Sequence, residues 1–474
     1  MIKFNNSYIN LPDTFFSKIN PTKVNSPSLI HTNTALAEKL NIKAPFLNGK
    51  DAAHFFSGNH IMEGSEPIAM AYAGHQFGSF VPELGDGRAI LLGEVIDREG
   101  IRQDIQLKGI GRTPYSRGGD GRSTVGSVIR EYLVSEAMNG LGVPTTRALA
   151  ATTTGETVFR ETEMPGAILT RVARSHIRIG TFEYFAYKQD TDAVRKLADY
   201  CIDRLYPELK ESGTPYLGLL KSVMDRQIKL ISQWLSIGFI HGVMNTDNTS
   251  ISGETIDFGP CAFMETFNPK QVFSAIDTQS RYAYSNQPQV LLWNLMRFAE
   301  TLLPLFDKEE NKAVEKAQPI FDSYWAAFSE NWSALMLKKM GLTTVQKGDE
   351  ALVHQFLDSI EASKSDFTLS FRLLSHRLST QPFSDSIVVP LYKTDVFKKW
   401  EKTWTDRLKL EKSTPETQVQ LMNSVNPVII PRNHLIEQAI QEALQSGEYT
   451  LMKKLSKIFK NPFDYQEENT FFMT

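Results

Sequence analysis

The sequence predicts an α+β protein with two lobes, a small lobe rich in β-strands followed by a larger helical lobe. Glycine is concentrated early, and 12 of the 29 glycines lie between Gly74 and Gly126 among short β-type runs. From about residue 191 the pattern changes to long amphipathic helices. With 474 residues and 41% apolar content, the chain is long enough for two packed cores.

The small lobe is predicted from its strand patterns and its helix-capping residues. AILLGEV and DIQLKGI indicate two strands, and ETVFRE and GAILTRVA indicate two more. Between these pairs, STVGSVIREYLVSEAMNGLG indicates one helix, which Ser123 or Thr124 can cap and Gly140 or Gly142 can end.

The large lobe is predicted to be helical, with one strand-turn-strand pattern at 249–258. The predicted helices are 191–206, 216–237, 288–305, 309–337, 348–362, 393–411, 434–446 and 449–459. The expected segments are an N-terminal extension at 1–65, the small lobe at 66–175, the helical lobe at 176–340 and a C-terminal helical extension at 341–474.

The overall composition argues against several classes of protein. A formal net charge of −3 gives no general attraction to nucleic acid or to anionic lipid, so we expect neither as a partner. No apolar run is long enough to cross a bilayer, and the opening residues lack the pattern of a signal or transit peptide. Only two cysteines, Cys201 and Cys261, are present, which suits a reducing compartment. We therefore expect a cytoplasmic protein in which any polyanion site is local.

Arginine is concentrated in the small lobe. Between Gly85 and Gly180 there are twelve arginines and a single lysine, Lys108. Arginine forms planar, bidentate and permanently charged contacts with phosphate. Eleven acidic residues share the stretch, so ordinary ion pairing stays open for any single arginine. As a set, the arginines predict a phosphate-handling pocket.

Lys108 lies at the end of the predicted strand DIQLK. A glycine-containing hairpin, LGDGRAILLGEV, precedes it, and the predicted helix that follows carries Glu131. This is the constellation of a protein-kinase small lobe, where the strand lysine holds nucleotide phosphates and a helix glutamate holds the lysine. Glu136 also lies on a partly apolar helical stripe, so the pattern alone barely separates the two glutamates.

The stretch HGVMNTDNTSISGETIDFGP, residues 241–260, carries a second kinase-like feature. Strands at 249–251 and 255–257 around the turn SGE would bring Asn248 opposite Asp257. An amide oxygen and a carboxylate are suited to Mg²⁺ or Mn²⁺, with phosphate oxygens and water completing the shell. The alternative is a hairpin whose Asp and Asn only satisfy turn amides.

Asp247 precedes this pair and is free to act as a base or to orient a nucleophile. Protein kinases separate the catalytic Asp from the metal-binding Asn by four residues, whereas Asp247 and Asn248 are adjacent. The sequence therefore departs from the kinase pattern here, although Asp257-Phe258-Gly259 keeps the metal-binding Asp.

Several long motifs together resemble the selenoprotein O family, in particular its bacterial branch. The resemblance implies a protein-kinase-like (pseudokinase) fold and protein adenylyltransferase activity. It covers most of residues 5–300 and is looser in the C-terminal helices. The motifs that carry it are NSYINLPDTFF, YAGHQFGSFVPELGDGRAILLGE, QLKGIGRTPYSRGGDGRSTVGSVIREYLVSEAM, LTRVARSHIRIGTFEYFA, HGVMNTDNTSISGETIDFGPCAFME and DTQSRYAYSNQP.

The resemblance implies a nucleotide that is inverted relative to a kinase, so that the α-phosphorus of ATP faces the acceptor. AMP would be transferred to Ser, Thr or Tyr hydroxyls of proteins, self-modification included, with Mg²⁺ or Mn²⁺ and release of pyrophosphate. UTP is an alternative donor. The implied nucleotide-binding residues are Gly85, Gly87, Arg88, Lys108, Asp120, Gly121, Arg171, Arg178 and Asp257, with Arg171 and Arg178 at the γ-phosphate. Glu131 would support Lys108, Asp247 would be the proton acceptor, and Asn248 and Asp257 would bind the metal.

Two other functions compete with this prediction. One is a kinase-type transfer of the γ-phosphoryl group, and the other is an inactive scaffold that binds nucleotide. A further departure concerns redox control, because many relatives carry a cysteine or selenocysteine in the tail. This sequence ends NPFDYQEENTFFMT, so we expect no thiol regulation of that kind.

Overall fold

The computed structural model describes residues 2–379 and 389–474, which form one main β-sheet, two small strand pairs and sixteen α-helices. The strands of the main sheet are β1 (Phe16–Lys18), β2 (Ser28–Thr32), β3 (Ile68–Met70), β6 (Ala89–Ile96), β7 (Arg102–Lys108), β8 (Ser123–Thr124), β9 (Arg147–Phe159) and β10 (Glu163–Ala173). The small pairs are β4 (Gly74–Gln76) with β5 (Ser79–Val81), and β11 (Phe239–Ile240) with β12 (Ala262–Phe263).

The main sheet is antiparallel, in the order β1-β3-β6-β7-β10-β9-β2, with β8 paired to β10. It is buried on both faces. Along β6, Ile90 and Leu92 belong to one apolar core and Leu91 belongs to the other, because alternate residues of a strand point to opposite faces. The nearly continuous apolar run of β6 is typical of such a doubly covered strand.

Helices α1, α2 and α3 lie between strands of the sheet in the chain, and the other helices follow the sheet, as the sequence predicts for the large lobe. Their bounds are α1 (Thr34–Lys39), α2 (Gly49–Phe56), α3 (Val125–Gly140), α4 (Ile179–Tyr187), α5 (Thr191–Leu205), α6 (Pro215–Ser236), α7 (Gln287–Phe306), α8 (Glu310–Asp322), α9 (Tyr324–Lys339), α10 (Asp349–Ala362), α11 (Phe367–Arg372), α12 (Leu374–Leu378), α13 (Asp395–Leu408), α14 (Pro415–Val425), α15 (Asn433–Ser446) and α16 (Thr450–Ile458). None of the described helices is both long enough and apolar enough to span a lipid bilayer.

Helix α3 begins and ends where its sequence predicts. The Thr124 hydroxyl accepts a hydrogen bond from the backbone N–H of Ser127 at 3.3 Å, which caps the first turn, and the helix ends at Gly140. The helix packs against β9 and β10 in the apolar core that contains Leu91. Its position brings Glu131 and Glu136 under the sheet, where both are buried.

One predicted helix is divided in the structure. The segment expected as a single helix at 309–337 forms α8 and α9, which meet at Ser323. Pro319 lacks an N–H for the helical ladder, and the Ser323 hydroxyl donates to the carbonyl of Ile320 at 2.7 Å. The sequence prediction also missed six of the described helices, namely α1, α2, α4, α11, α12 and α14.

The residues predicted as an N-terminal extension are part of the main sheet. Strands β1 and β2 form its two edges, through pairing with β3 and β9. Helices α1 and α2 contribute apolar side chains to the core on one face of the sheet. A boundary at residue 65 therefore does not coincide with a boundary of the sheet, and the division into four segments stays a prediction.

The predicted hairpin at 249–257 is wrong. Ser250 forms an isolated bridge with Arg178, and Thr255 forms one with Thr145, so the two expected strands do not pair with each other. Asn248 lies in a 3₁₀ turn, Thr246–Asn248. The backbone groups of the segment bind its neighbours instead, because tertiary partners on both sides compete successfully with the local turn.

Candidate functional site

One cleft gathers nearly all of the predicted site residues. It has a volume of about 470 Å³ and lies where the loop before β6, the end of β7, the loop 115–122 and strand β10 converge on residues 247–257. Glu131 does not line the cleft and is buried behind Lys108. The predicted residues that line it are Gly85, Gly87, Arg88, Lys108, Asp120, Gly121, Arg171, Arg178, Asp247, Asn248 and Asp257.

At the base of the cleft, two cations and two carboxylates form a connected cluster. Lys108 Nζ donates to Glu131 Oε2 at 2.7 Å and also to Asp257 Oδ1. Arg171 donates to Glu131 Oε1 through Nε at 2.9 Å and to Asp257 Oδ1 through Nη2 at 3.2 Å. Burial acts to raise the pKa of Asp257, but Lys108 and Arg171 hold it well below its usual range. Asp257 is therefore ionised at neutral pH.

The structure separates the two glutamates of α3. Glu131 contacts Lys108, whereas Glu136 faces another part of the lobe and accepts hydrogen bonds from Arg147 Nη2 at 2.8 Å and Asn33 Nδ2 at 2.6 Å. The residues lie five positions apart and so cannot share a helix face. Only the packing of α3 under the sheet decides which one meets the lysine.

Asp257 has an unusual backbone conformation. Its φ of +66° lies in the left-handed region, which costs about 1–3 kcal/mol for a residue other than glycine and is often found at functional sites. Phe258, the residue that follows Asp257, is buried in the apolar core beside Phe239. The Asp257 carboxylate is thereby directed at the cleft while its neighbour is held in the core.

The oxygens of Asn248 and Asp257 suit a divalent cation. Within the described residues, the carboxylate of Asp257 accepts hydrogen bonds only through Oδ1, and Asn248 Nδ2 donates to the carbonyl of Val243 at 3.0 Å. Asp257 Oδ2 and Asn248 Oδ1 are left as hard oxygen donors lining one cleft, which is the chemistry that Mg²⁺ and Mn²⁺ prefer. No group of three or more His, Cys, Asp or Glu suited to a metal occurs in the described ranges, so water and substrate would complete the shell.

Asp247 is buried and has one oxygen without a hydrogen-bond partner, Oδ1. Its Oδ2 accepts from Gln76 Nε2 at 3.4 Å, and its backbone carbonyl accepts from Arg178 Nη1 at 3.1 Å. Burial raises the pKa of the Asp247 carboxyl to about 7, although Arg178 acts to lower it. Such a carboxyl can gain and lose a proton near neutral pH, as a general base must.

The hairpin of β4 and β5 positions this carboxylate, a role that the sequence prediction missed. A Cβ on Gly74 would lie 2.6 Å from Asp247 Oδ1, so only glycine leaves room for the carboxylate there. His75 N–H donates to Thr246 Oγ1 at 2.7 Å, and His75 Nδ1 lies 2.6 Å from Glu183 Oε1. The glycines of the motif GHQFG are the sequence feature that could have indicated a tight hairpin at this position.

Besides the predicted residues, the cleft contains further charged groups, among them Asp86 and Arg160. Arg178 lies over the ring of Tyr72, with 4.4 Å between its Cζ and the ring centroid. Asp86 lies beside Arg178, and burial raises the pKa of the Asp86 carboxyl to about 6. Arg160 pairs with Asp120 at 2.8 Å. The lining residues include seven cations and four carboxylates, namely Arg88, Lys108, Arg117, Arg122, Arg160, Arg171 and Arg178 with Asp86, Asp120, Asp247 and Asp257. This excess of positive charge favours a polyanionic ligand.

The glycine-rich loop at the cleft is held by a close backbone approach, which gives a first prediction. A Cβ on Gly121, whose φ is +67°, would lie 1.9 Å from the carbonyl oxygen of Gly111. We expect Gly121→Ala to destabilise the protein by at least about 3 kcal/mol and to lower its melting temperature. Gly118→Ala is the matched control, because Gly118 has a φ of +82° with nothing near its Cβ. It should cost only about 1–2 kcal/mol. Equal melting temperatures for the two variants would contradict the close approach.

A second prediction concerns Gln76. Its hydrogen bond to Asp247 Oδ2 stabilises the ionised carboxylate, so Gln76→Ala should raise the pKa of Asp247. For a general base at Asp247, which must be ionised to accept a proton, the acid limb of the pH–rate profile should move to higher pH. The shift should be less than about one unit, since a hydrogen bond of 3.4 Å is weak. The pH dependence of kcat measures it, and a shift to lower pH would contradict the contact.

These features are those expected of an enzyme that binds a nucleotide and transfers a group from it. They comprise a cationic cleft, a lysine–glutamate pair, two oxygens suited to a metal and a buried carboxylate. Residues 1–460 match the family described as protein adenylyltransferase SelO, and the chain belongs to that family. The family and the enzyme class predicted from the sequence are thereby confirmed.

Relatives in bacteria carry a corresponding name. The chain is 53% identical over 465 residues to the protein nucleotidyltransferase YdiU of Bradyrhizobium diazoefficiens. The aligned region covers 98% of this chain and 94% of that protein. It is 53% identical over 463 residues to the protein of the same name from Rhizobium johnstonii, covering 98% of this chain and 92% of that protein. The similarity therefore extends through the C-terminal helices.

Proposed function

We propose that this enzyme transfers AMP from ATP to Ser, Thr or Tyr hydroxyls of proteins and releases pyrophosphate, with UTP as an alternative donor. We further propose that its two lobes are arranged as in a protein kinase, with the nucleotide inverted. One observation carries the proposal: a buried carboxylate with an unbonded oxygen, Asp247, lines the same cleft as the cluster of Lys108, Arg171 and Asp257. A base and a phosphate-binding cluster in one cleft are what transfer to a hydroxyl requires.

The cationic residues would bind the triphosphate. Lys108 and Arg171 are buried and both lie against Asp257, so they are held in position before a nucleotide arrives. We propose that Arg171 and Arg178 hold the γ-phosphate, because each is a buried, permanently charged guanidinium that lines the cleft. Arg88 is exposed at the rim and would reach the nucleotide from outside.

Glycines and a metal site would complete the nucleotide pocket. Gly85, Gly87 and Gly121 allow the chain to pass close to Tyr115 and Gly111, which forms the wall on which a nucleotide would lie. Asn248 and Asp257 would hold Mg²⁺ or Mn²⁺, and the bound cation supplies charge neutralisation for the phosphates and the leaving pyrophosphate.

Asp247 would accept the proton of the acceptor hydroxyl. Its raised pKa of about 7 places it in the useful range, since a stronger acid would be too weak a base. Gly74 and Gln76 hold the carboxylate, and Arg178 holds the backbone carbonyl of the same residue. The base and a proposed γ-phosphate ligand are therefore connected through a single hydrogen bond.

The experiment that tests the function follows the label of ATP. Incubation with ATP labelled at the α-phosphate should mark protein, whereas ATP labelled at the γ-phosphate should not. Transfer of the γ-label would establish a kinase, and nucleotide binding without transfer of either label would establish a scaffold. Intact mass of the modified protein distinguishes AMP, UMP and phosphate directly. Asp225→Asn, an exposed carboxylate paired with Lys221 at 2.6 Å, is a control that should keep full activity.

The partners and the location remain predictions. Protein hydroxyls, including those of the enzyme itself, are the proposed acceptors, and the choice between Mg²⁺ and Mn²⁺ belongs to the same assay. A cytoplasmic location without nucleic-acid or membrane partners is expected from composition alone.

A further inference from the structure

A second cavity, which we call the back pocket, lies away from the proposed active site. It has a volume of about 350 Å³ and is formed where β9, the end of β10, helix α6 and the turn 252–254 meet. None of the twelve predicted site residues lines it. Its basic lining residues are Lys39, Arg147, Arg174, Arg226 and Lys229.

Two of these cations already have carboxylate partners. Lys39 pairs with Glu99 at 3.1 Å, and Arg147 pairs with Glu136 at 2.8 Å. Among the described residues that line the pocket, Glu254 is the one carboxyl group. It accepts hydrogen bonds from Ser252 Oγ at 2.7 Å and from the backbone N–H of Arg174 at 3.0 Å, so it is bound within the turn.

The other three cations lack such partners. In the described part of the chain, Arg174, Arg226 and Lys229 form no ion pair, and the guanidinium of Arg174 donates no hydrogen bond. Burial raises the pKa of the nearby Glu254 carboxyl to about 7, although Arg174 acts to lower it. Arg174 Nε and Arg226 Nη1 are buried without a hydrogen-bond partner. A buried N–H without an acceptor is costly, so these nitrogens favour a ligand that supplies oxygen atoms.

Contacts within the protein hold the guanidinium of Arg226 in position. Arg226 Nη2 donates to the carbonyl of Leu205 at 2.8 Å, and its guanidinium lies 3.9 Å from the centre of the Tyr206 ring. The same pocket is also lined by Leu36, Leu40 and Val172, which are buried and supply an apolar wall. The pocket thus pairs unsatisfied guanidinium groups with an apolar surface.

We propose that the back pocket binds a phosphate-class oxyanion, with its oxygens against Arg174, Arg226 and Lys229. Guanidinium forks match tetrahedral oxyanions bidentately, which suits them to phosphate better than to halide. The apolar wall leaves room for an organic group on the phosphate. The bound anion would connect the sheet, α6 and the turn that separates Asn248 from Asp257 in the chain.

Binding of radiolabelled inorganic phosphate to the full chain tests this inference by equilibrium dialysis. The test variant is Arg174→Gln with Arg226→Gln, which should weaken phosphate binding at least about tenfold. Lys108→Met lies in the proposed active site and shows how much of the bound phosphate is held there, and binding in the back pocket is the part that this variant keeps. Arg98→Gln, an exposed arginine paired with Glu38 outside both cavities, is the matched control and should also have no effect.

Lys229→Gln gives an independent measurement, because this exposed residue of α6 can change without disturbing the core. It should weaken phosphate binding by about threefold or more. Absence of phosphate binding to the unchanged protein, or binding that Lys108→Met removes and the Arg174/Arg226 variant keeps, would overturn the proposal. Tighter binding of phenyl phosphate than of inorganic phosphate would identify a phosphate monoester as the ligand, and equal affinity would identify free phosphate. Since the readout is binding and not transfer, its failure would leave the proposed function untouched.

Discussion

Asp257→Asn is expected to lower the rate of AMP transfer by about a thousandfold or more. The change removes a proposed metal oxygen and the negative charge that Lys108 and Arg171 share. The two buried cations would then face each other with Glu131 alone to balance them. Single-turnover transfer from α-labelled ATP at saturating metal measures the loss.

Asparagine is the right replacement for this test because of the backbone at residue 257. Its φ of +66° is tolerated by asparagine better than by alanine, so the carboxylate can be removed with little added strain. Asp225→Asn serves as the control for an Asp-to-Asn change elsewhere on the surface. A rate within tenfold of the unchanged enzyme would remove Asp257 from the proposed metal site.

Asp247→Asn is expected to lower kcat by about a hundredfold to ten-thousandfold and to leave nucleotide binding nearly unchanged. The side chain keeps its shape between Gly74 and Gln76 but can no longer accept a proton. Titration of a nucleotide analogue should therefore give a similar Kd, while transfer is lost. This pattern separates a base from a nucleotide ligand, since loss of a ligand would raise Kd.

The pH dependence provides a second signature of the same group. Burial raises the pKa of Asp247 to about 7, and only the ionised form can accept a proton. The rate of the unchanged enzyme should therefore increase as the pH rises through about 7, and the residual rate of Asp247→Asn should lose this dependence. A variant profile with the same acid limb would assign the titration to another group.

Much of the fold was predictable because its signals are local. Thr124 caps the start of α3, and Gly142, with a φ of +76°, follows its end, and both signals depend on neighbours within about one turn. The run AILLGEV was recognised as a strand for the same reason. The hairpin at 249–257 failed because its local turn signal had to compete with the bridges at Ser250 and Thr255, whose partners are distant in sequence.

Residue types alone determined that this chain has an arginine-rich stretch, a lysine on a strand and an Asp-Phe-Gly element, because these are properties of composition and short motifs. Only the tertiary structure decided that Glu131 and not Glu136 meets Lys108, that the hairpin of β4 and β5 holds Asp247, and that Arg174 and Arg226 line a separate pocket. Each of these choices depends on which surfaces the packed sheet and helices bring within a few ångströms, and contacts between residues far apart in sequence arise only when the whole chain is folded.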